Sequence, residues 1–541
     1  MKYLLLFTFL QTISFSQNTN DVFKYLDVFD LQYVSSPQIS PDGSEIIYRR
    51  MTFDILKDKA VGNLWTVNVN GSNHQKLTSR ESEEYGATWS PDGDRLAFIS
   101  STEEGSEIYI YWKNTSKYAK ISQLEGNPSN LSWSSNGTNL AFTMKVKTLA
   151  PVLVKMPKKP KGAKWAKTAR ITDRLYHESD GKGYIEPGFT HVFLISSEGS
   201  GVSKLTSGDF NHRGPLSWSK DNSKIYFTSN RSESWEYEFR NSEIYSVDII
   251  DQKISSLTDR NGPDSNPKVS PNGKHIAYLG YQDKVQAYQN TQLSIMDTNG
   301  DNTSLISFNV DSSINDYHWD SNSKGIYYSY DKLGDTKIAY LNLDGSFRNL
   351  AENLGGNSIG RPYGGGSFSV SNNGVIAYTN TSYKHPSELT VVNGKKSTQI
   401  TNLNSHLLKN RNLGFVEEIW YKSSFDNRDI HGWVVYPPNY DSSKSYPFLV
   451  ENHGGPISNY GSRFSAEMQL FAAAGYVVFY PNPRGSTSYG EEFANLLHHN
   501  YPAEDYLDVM DGVDFCIKNG IANENMLYVT GGSAGGLMTA W

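Results

Sequence analysis

Cysteine is almost absent from this 541-residue sequence, which contains only Cys516. A single cysteine excludes an internal disulfide, and within GVDFCIKNG we expect Cys516 to be a small buried apolar residue. The sequence has no cluster of histidine and cysteine residues with metal-ligand spacing, so no metal site is expected. Charge of one sign is also not in excess, since the net charge is −7. Neither nucleic acid nor an anionic membrane is favoured as a partner.

Long hydrophobic runs are missing as well, and no run reaches the length that spans a bilayer. The N-terminal stretch MKYLLLFTFLQTISFSQ has one lysine, a short apolar core and then small residues at Ser14 and Ser16. This pattern predicts a signal peptide over residues 1–16, cleaved after about Ser16, and therefore a secreted or periplasmic protein. A buried N-terminal helix is the alternative.

What the sequence has in abundance is one repeated turn. SPDG and its variants recur seven times, each followed by a short β-prone apolar run, at Ser40, Ser90, Ser134, Ser219, Ser270, Asp320 and Ser371. Proline presets φ at the second turn position, Asp or Asn hydrogen-bonds locally, and Gly accepts a positive φ. The copies lie about 50 residues apart, with one gap of about 85 residues, and units of that size are typical of propeller blades.

The fold class predicted for residues 37–410 is therefore an all-β seven-bladed propeller. Residues 17–36 form an N-terminal segment ahead of it. The long gap holds one blade and a basic insertion, about 145–185, whose prolines and irregular pattern favour a solvated loop over a nucleic-acid patch.

An acidic aromatic stretch, RSESWEYEFRNSEIY, covers residues 231–245. Glu236 and Glu238 could bind the free amino terminus of a peptide through charge-assisted hydrogen bonds. A solvated blade edge is the alternative.

After residue 410 the turn signature stops, and strands alternate with helices over residues 411–541. This order predicts a parallel sheet with right-handed crossovers. The strand MLYVT leads into GGSAGG, the strand–Gly-x-Ser-x-Gly–helix pattern of a nucleophile elbow. Ser533 is the candidate nucleophile, and the N–H groups of Ala534 and of Gly455, in the HGGP loop, are the candidate oxyanion donors.

HGGP (453–456), NPRGSTSYG (482–490) and GGSAGG (531–536), together with the repeated turns, resemble the prolyl oligopeptidase family of serine peptidases, in its acylaminoacyl-peptidase and dipeptidyl-peptidase branch. The resemblance covers the chain after the signal peptide. It implies a propeller that admits peptides to an α/β-hydrolase domain, and an N-terminal segment that packs on that domain.

In α/β-hydrolases the acid and the histidine follow the serine along the chain. No upstream residue is placed by this topology to replace them, although candidates exist at His431, His453, His498, His499, Asp505, Asp508 and Asp511. We therefore expect the catalytic Asp and His beyond Trp541, in a longer protein of which this sequence holds only the first half of the hydrolase domain. By itself the chain should be inactive or nearly so.

The predicted function is that of an exported serine peptidase acting on short peptides through an acyl-enzyme, without a metal or organic cofactor. It is a dipeptidyl-peptidase, an acylaminoacyl-peptidase or an oligopeptidase. A propeller that binds partners beside a degenerate hydrolase portion is the first alternative, and an esterase is the second. The sequence does not indicate an oligomeric state.

Overall fold

The computed structural model describes residues 21–541 except 79–81, 150–153, 167–168, 200 and 357. The predicted signal peptide lies outside the described residues. Within them, seven four-stranded antiparallel sheets precede one five-stranded mixed sheet. The protein is an all-β seven-bladed propeller followed by an α/β-hydrolase domain.

The four strands of each blade follow one another along the chain, apart from one hairpin inserted in the third blade. The first three blades, with that hairpin, comprise β1 (Tyr33–Ile39), β2 (Glu45–Asp54), β3 (Lys59–Asn68), β4 (Gln75–Lys76); β5 (Glu83–Trp89), β6 (Arg95–Thr102), β7 (Gly105–Trp112), β8 (Lys117–Lys120); and β9 (Pro128–Trp133), β10 (Asn139–Lys147), β11 (Glu178–Ser179), β12 (Gly183–Tyr184), β13 (Gly188–Ser196), β14 (Ser203–Lys204). The next two comprise β15 (His212–Trp218), β16 (Lys224–Ser229), β17 (Glu243–Asp248), β18 (Ile254–Ser256); and β19 (Asp264–Val269), β20 (His275–Gly280), β21 (Gln292–Asp297), β22 (Ser304–Leu305). The last two comprise β23 (Ile314–Trp319), β24 (Gly325–Lys332), β25 (Asp335–Asn342), β26 (Phe347–Ala351); and β27 (Phe368–Val370), β28 (Ile376–Ser382), β29 (His385–Asn393), β30 (Lys396–Gln399).

The repeated turn joins the first and second strands of each blade. In the first blade the Ser40 hydroxyl accepts hydrogen bonds from the N–H groups of Ser44 and Glu45, at 3.2 and 3.0 Å, and Gly43 has a φ of 74°. The strand that follows the turn is buried on both faces, because Leu96 to Ile99 of β6 each expose 1% or less. Both features agree with the sequence prediction.

Tryptophans just before the turn join neighbouring blades. The indole N–H of Trp89 donates to the Gln38 carbonyl at 3.0 Å, and Trp133 and Trp218 make the same bond to the blade before them. The first and seventh blades are each built from four consecutive strands, so the ring closes without exchange of a strand. The Ile39 N–H of the first blade donates to the Ser369 hydroxyl of the seventh at 2.9 Å and joins the two blades.

The basic insertion lies between β10 and β13, which pair directly with each other. It is therefore an excursion from one hairpin, and the third blade is complete without it. The described lysines between residues 155 and 164 are exposed, as expected of a solvated loop.

The hydrolase sheet has the strand order β31-β32-β34-β33-β35. Its elements are β31 (Val416–Lys422), β32 (Asp429–Val435), β33 (Phe448–Asn452), α3 (Ala466–Ala473), β34 (Val477–Asn482), α4 (Glu491–Ala494), a 3-10 turn (Asn495–Leu497), α5 (Glu504–Lys518), β35 (Leu527–Gly531) and α6 (Ala534–Ala540). Only β34, β33 and β35 are parallel, so the prediction of a parallel sheet was wrong for the first two strands. A short turn joins β31 to β32, and such a hairpin is necessarily antiparallel.

Helices cover both faces of this sheet. Met468 and Ala472 of α3 pack in one apolar cluster, and Val509, Val513 and Cys516 of α5 pack in the other. Cys516 is buried as predicted, and burial raises the pKa of its thiol to about 12.

The segment ahead of the propeller contains α1 (Asp27–Asp30), and α2 (Ser405–Leu408) follows the last blade. The Phe23 ring packs edge-on against Phe464 of the hydrolase domain, with centroids 6.1 Å apart. Arg411 binds the buried Asp27 carboxylate through two hydrogen bonds of 2.6 and 2.8 Å. The first blade begins at Tyr33, within the segment that the sequence predicts to precede the propeller.

Candidate active site

Ser533 occupies the sharp bend between β35 and α6. It has φ 58° and ψ −122°, a conformation that is strained for a residue with a side chain, and it is exposed. The glycines on either side permit the bend. A Cβ on Gly531 would lie 2.4 Å from the Gly535 carbonyl oxygen, and one on Gly535 would lie 2.0 Å from the Asn452 carbonyl oxygen. The predicted elbow is therefore present in its geometry.

The HGGP loop lies beside this bend because β33 and β35 are parallel neighbours, with Asn452 opposite Gly531. A Cβ on Gly454 would lie 3.2 Å from the Ser533 Cβ. The Gly454 N–H donates to the Tyr363 hydroxyl at 2.8 Å.

Two N–H groups, one in the HGGP loop and one at the bend, have no acceptor among the described residues. Gly455 N–H has no hydrogen-bond acceptor among the described residues. Ala534 is the first residue of α6, so its N–H has no partner one turn earlier. These are the two donors chosen from the sequence, and their oxyanion role stays a prediction.

His453 lies in the HGGP loop beside Ser533, but it is buried and fully engaged. Its Nδ1 donates to the Gly454 carbonyl at 3.1 Å, and its Nε2 lies 3.0 Å from the Ser486 hydroxyl. Burial lowers the pKa of the imidazole to about 4. Such a group is a weak base at neutral pH, and it supports the loop.

The other candidate histidines lie elsewhere. His431 is stacked on Trp420 with centroids 4.0 Å apart, and burial lowers its pKa to about 3. His498 accepts from the Ala287 N–H of the propeller at 3.1 Å, and the His499 ring packs against it at a tilt of 49°. In the described part of the chain, no histidine is hydrogen-bonded to Ser533.

The three candidate aspartates belong to α5 and have structural partners. Asp508 holds Arg484 through two side-chain hydrogen bonds of 2.9 Å, and both groups are buried. Asp505 accepts from the Ala503 N–H and Asp511 from the Ser424 N–H. None of them takes the position of a catalytic acid.

Sequence reasoning missed two propeller residues at this site, Arg361 and Tyr363. They lie between β26 and β27, and Tyr363 binds the HGGP loop as described above. A Cβ on Gly532 would lie 2.4 Å from Arg361 Nη1, so the guanidinium lies against the elbow. Each of the two residues contacts a partner more than 90 residues away in the sequence. Such a distant contact leaves no local sequence pattern by which either residue could be recognised.

The acidic stretch of the propeller forms a cavity of about 330 Å³. It is lined by Asp173, Arg174, Asp209, Glu233, Ser234, Trp235, Glu236 and Tyr237. Glu236 pairs with Arg174 at 3.2 Å. Glu238 is not among the lining residues. Its carboxylate accepts from the Ser234 hydroxyl, and this bond lowers the pKa of Glu238.

A propeller joined to an α/β-hydrolase with a strained, exposed serine defines the class of propeller-bearing serine hydrolases. The profile named "Prolyl oligopeptidase family" matches residues 462–541, and the profile of the "Dipeptidyl peptidase IV (DPP IV) N-terminal region" matches residues 163–285. Over these residues the chain is similar to the prolyl oligopeptidase family of peptidases.

Two relatives match over most of the chain. The "uncharacterized peptidase YuxL" of Bacillus subtilis is 27% identical over 95% of this chain and 79% of its own length. Dipeptidyl-peptidase 5 of Porphyromonas gingivalis is 26% identical over 94% of this chain and 75% of its own length.

Among solved structures, the acylaminoacyl peptidase of Pyrococcus horikoshii superposes with a TM-score of 0.76 at 19% identity. The match covers 95% of this chain and 75% of that protein, and it supports the shared fold.

Proposed function

We propose that the protein is an exported serine peptidase that hydrolyses short peptides. Ser533 attacks the peptide carbonyl, and the N–H groups of Gly455 and Ala534 stabilise the oxyanion. No metal or organic cofactor takes part. The observation that carries the proposal is the strained, exposed Ser533 with two free N–H donors beside it.

We place the general base and the acid, a histidine and an aspartate, outside these 541 residues, because no described histidine is hydrogen-bonded to Ser533. Without a base, Ser533 keeps the ordinary reactivity of a hydroxyl, and triad deletions retain only about 10³–10⁴-fold catalysis over water. The 541-residue chain alone is therefore inactive or nearly so.

The substrates we propose are peptides with a free amino terminus, as dipeptidyl-peptidases take. The acidic cavity near Glu236 supports this choice, because Glu233 and Asp209 share it while Arg174 neutralises only one carboxylate. Glu233 and Asp209 are exposed, so an ammonium group that enters the cavity could reach their carboxylates and form charge-assisted hydrogen bonds.

Export rests on the N-terminal pattern, with cleavage after about Ser16. Among the described residues, no helix has the length and apolar character needed to cross a membrane.

The experiment is labelling of the full-length protein with a fluorophosphonate, with Ser533→Ala as the control. We expect labelling that the substitution abolishes. A panel of free-amino dipeptide amides, N-acylated peptides and simple esters then separates the peptidase from the esterase. Faster hydrolysis of N-acylated peptides would exclude the amino-terminus role of the acidic cavity.

A non-catalytic binding propeller is the second candidate, favoured by the lack of a histidine bonded to Ser533 within the described residues. Absence of labelling in a folded full-length protein, together with retention of peptides, would establish it.

A further inference from the structure

One propeller segment, residues 359–363, is docked along the hydrolase domain. The Ala466 N–H donates to the Ile359 carbonyl at 2.7 Å, and the Gly461 N–H donates to the Pro362 carbonyl at 3.0 Å. The backbone of the segment is thus fixed at both ends before its side chains reach the serine site.

Tyr363 contacts the HGGP loop of that site. Its hydroxyl accepts the Gly454 N–H at 2.8 Å, and its ring packs edge-on against the buried Tyr460 with centroids 4.7 Å apart. Two aromatic rings and a main-chain pairing therefore fix the position of the hydroxyl. Since Gly454 precedes Gly455, this bond restrains the stretch of loop that carries the Gly455 N–H.

Arg361 contacts the bend that carries Ser533, at Gly532. Its Nε and Nη2 bind the Glu467 carboxylate at 2.8 and 3.2 Å, and Nε lies 3.3 Å from Glu451 Oε1. These bonds hold the guanidinium plane so that Nη1 fills the space that a side chain at position 532 would occupy. Gly532 does not have a positive φ, so its lack of a side chain serves this contact.

We propose that Arg361 and Tyr363 are positioning residues, through which the docked propeller fixes the nucleophile elbow and the oxyanion loop in their reactive arrangement. Tyr363 restrains the loop of Gly455, and Arg361 supports the bend of Ser533 at Gly532. The inference rests on the proposed function of Ser533. The site is then assembled from both domains, and its reactivity depends on their docking.

The first experiment does not need activity. Hydrogen–deuterium exchange is measured by mass spectrometry on the peptide that covers residues 450–457, in the unaltered protein and in Tyr363→Phe. Loss of the acceptor should speed exchange at the Gly454 amide about fivefold, the size expected for one net hydrogen bond. Tyr383→Phe is the matched control, because Tyr383 packs on Phe415 at the same domain boundary and its hydroxyl has no partner among the described residues.

The second experiment measures fluorophosphonate labelling of Ser533 in the full-length protein. Arg361→Gln should lower the maximal labelling rate about tenfold, as expected for a loosely held site. The fluorophosphonate concentration that gives half of the maximal rate should stay within about twofold of that for the protein without the substitution. Arg361→Lys should recover part of the rate. Arg428→Gln is the control, since Arg428 also binds two carboxylates, those of Glu492 and Asp426.

Gly532→Ala tests the same contact by a different route, because the methyl group displaces Nη1 without removing the arginine. It should reproduce the labelling defect of Arg361→Gln. The double variant should label no more slowly than either single variant, because both changes disrupt the same contact.

Unchanged exchange at residues 450–457 in Tyr363→Phe overturns the role of Tyr363. Normal labelling by a folded Gly532→Ala protein overturns that of Arg361. If Ser533 is not labelled in the full-length protein without substitutions, the proposed function fails. In that case exchange in Tyr363→Phe and in Gly532→Ala, over residues 450–457 and 530–537, still decides the inference.

Discussion

Gly535 and Gly536 are adjacent in α6, yet the structure predicts opposite results when each is replaced by alanine. A Cβ on Gly535 would lie 2.0 Å from the Asn452 carbonyl oxygen and 2.9 Å from that of His453. The nearest atom to a Cβ on Gly536 is the Gly531 carbonyl oxygen at 3.5 Å, an ordinary contact. Neither glycine has a positive φ, so alanine is conformationally allowed at both.

Relieving the contact at position 535 requires α6 and the end of β33 to separate by more than about 1 Å. Overpacking of this kind costs about 1–3 kcal/mol, which the helix preference for alanine, up to about 1 kcal/mol, offsets only in part. The same displacement moves Ser533 and Ala534 away from the loop of Gly455. A misplacement of about 1 Å in a reactive geometry lowers the rate about 100-fold.

The assay is urea unfolding together with the rate of fluorophosphonate labelling, for Gly535→Ala and Gly536→Ala side by side. We expect Gly535→Ala to lose about 1–2 kcal/mol of stability and most of its labelling rate. Gly536→Ala should be as stable as the unaltered protein, or more stable, and label normally. Equal stability and equal labelling of the two variants would refute the close-packed elbow.

Two further predictions concern buried charge. Burial raises the pKa of Glu451 to about 7, above its unfolded value near 4.5, so the folded protein holds a proton there that the unfolded chain releases. This contribution to stability is present below about pH 4.5 and falls by up to about 3 kcal/mol as the pH rises to 7. Glu451→Gln should therefore gain stability relative to the unaltered protein between pH 5 and pH 8 in urea unfolding, and a constant difference contradicts the shift. Asp508→Asn should cost about 3 kcal/mol because it breaks a buried pair with Arg484, and thermal unfolding measures the loss. Asp429→Asn, in an exposed pair with Lys422, is the control and should have no measurable effect.

The parts of the structure that the sequence predicts are those with local causes. The repeated turn is closed by bonds within five residues, such as that from the Glu45 N–H to the Ser40 hydroxyl. The elbow likewise needs only Gly531, Ser533 and Gly535 and the strand and helix around them. Local geometry of this kind leaves a motif, so the propeller, the elbow and the HGGP loop were all recognisable.

The parts that escaped prediction depend on contacts between distant residues. Arg361 reaches the elbow across the domain boundary, and nothing around RPYGGG distinguishes it from any other loop. The antiparallel start of the hydrolase sheet was missed because strand alternation gives element order and says little about pairing. Of the two acids chosen in the propeller, Glu236 lines the cavity and Glu238 does not. The Glu238 carboxylate is instead hydrogen-bonded to the hydroxyl of Ser234, four residues earlier in the chain.

The contacts across the domain boundary explain why the site and the docked arrangement form together. Buried Arg463 of the hydrolase domain donates to the Gly334 carbonyl and the Thr336 hydroxyl of the propeller, each at 2.8 Å. In return, the Gly334 N–H donates to the Ser488 hydroxyl at 2.7 Å. Each domain thus satisfies main-chain groups of the other, and each group left unpaired would cost about 1–3 kcal/mol. Tyr363 and Gly454 belong to the same set of exchanged bonds. The bond between the Gly454 N–H and the Tyr363 hydroxyl is therefore one of those that hold the domains together, and the HGGP loop loses it when the domains separate.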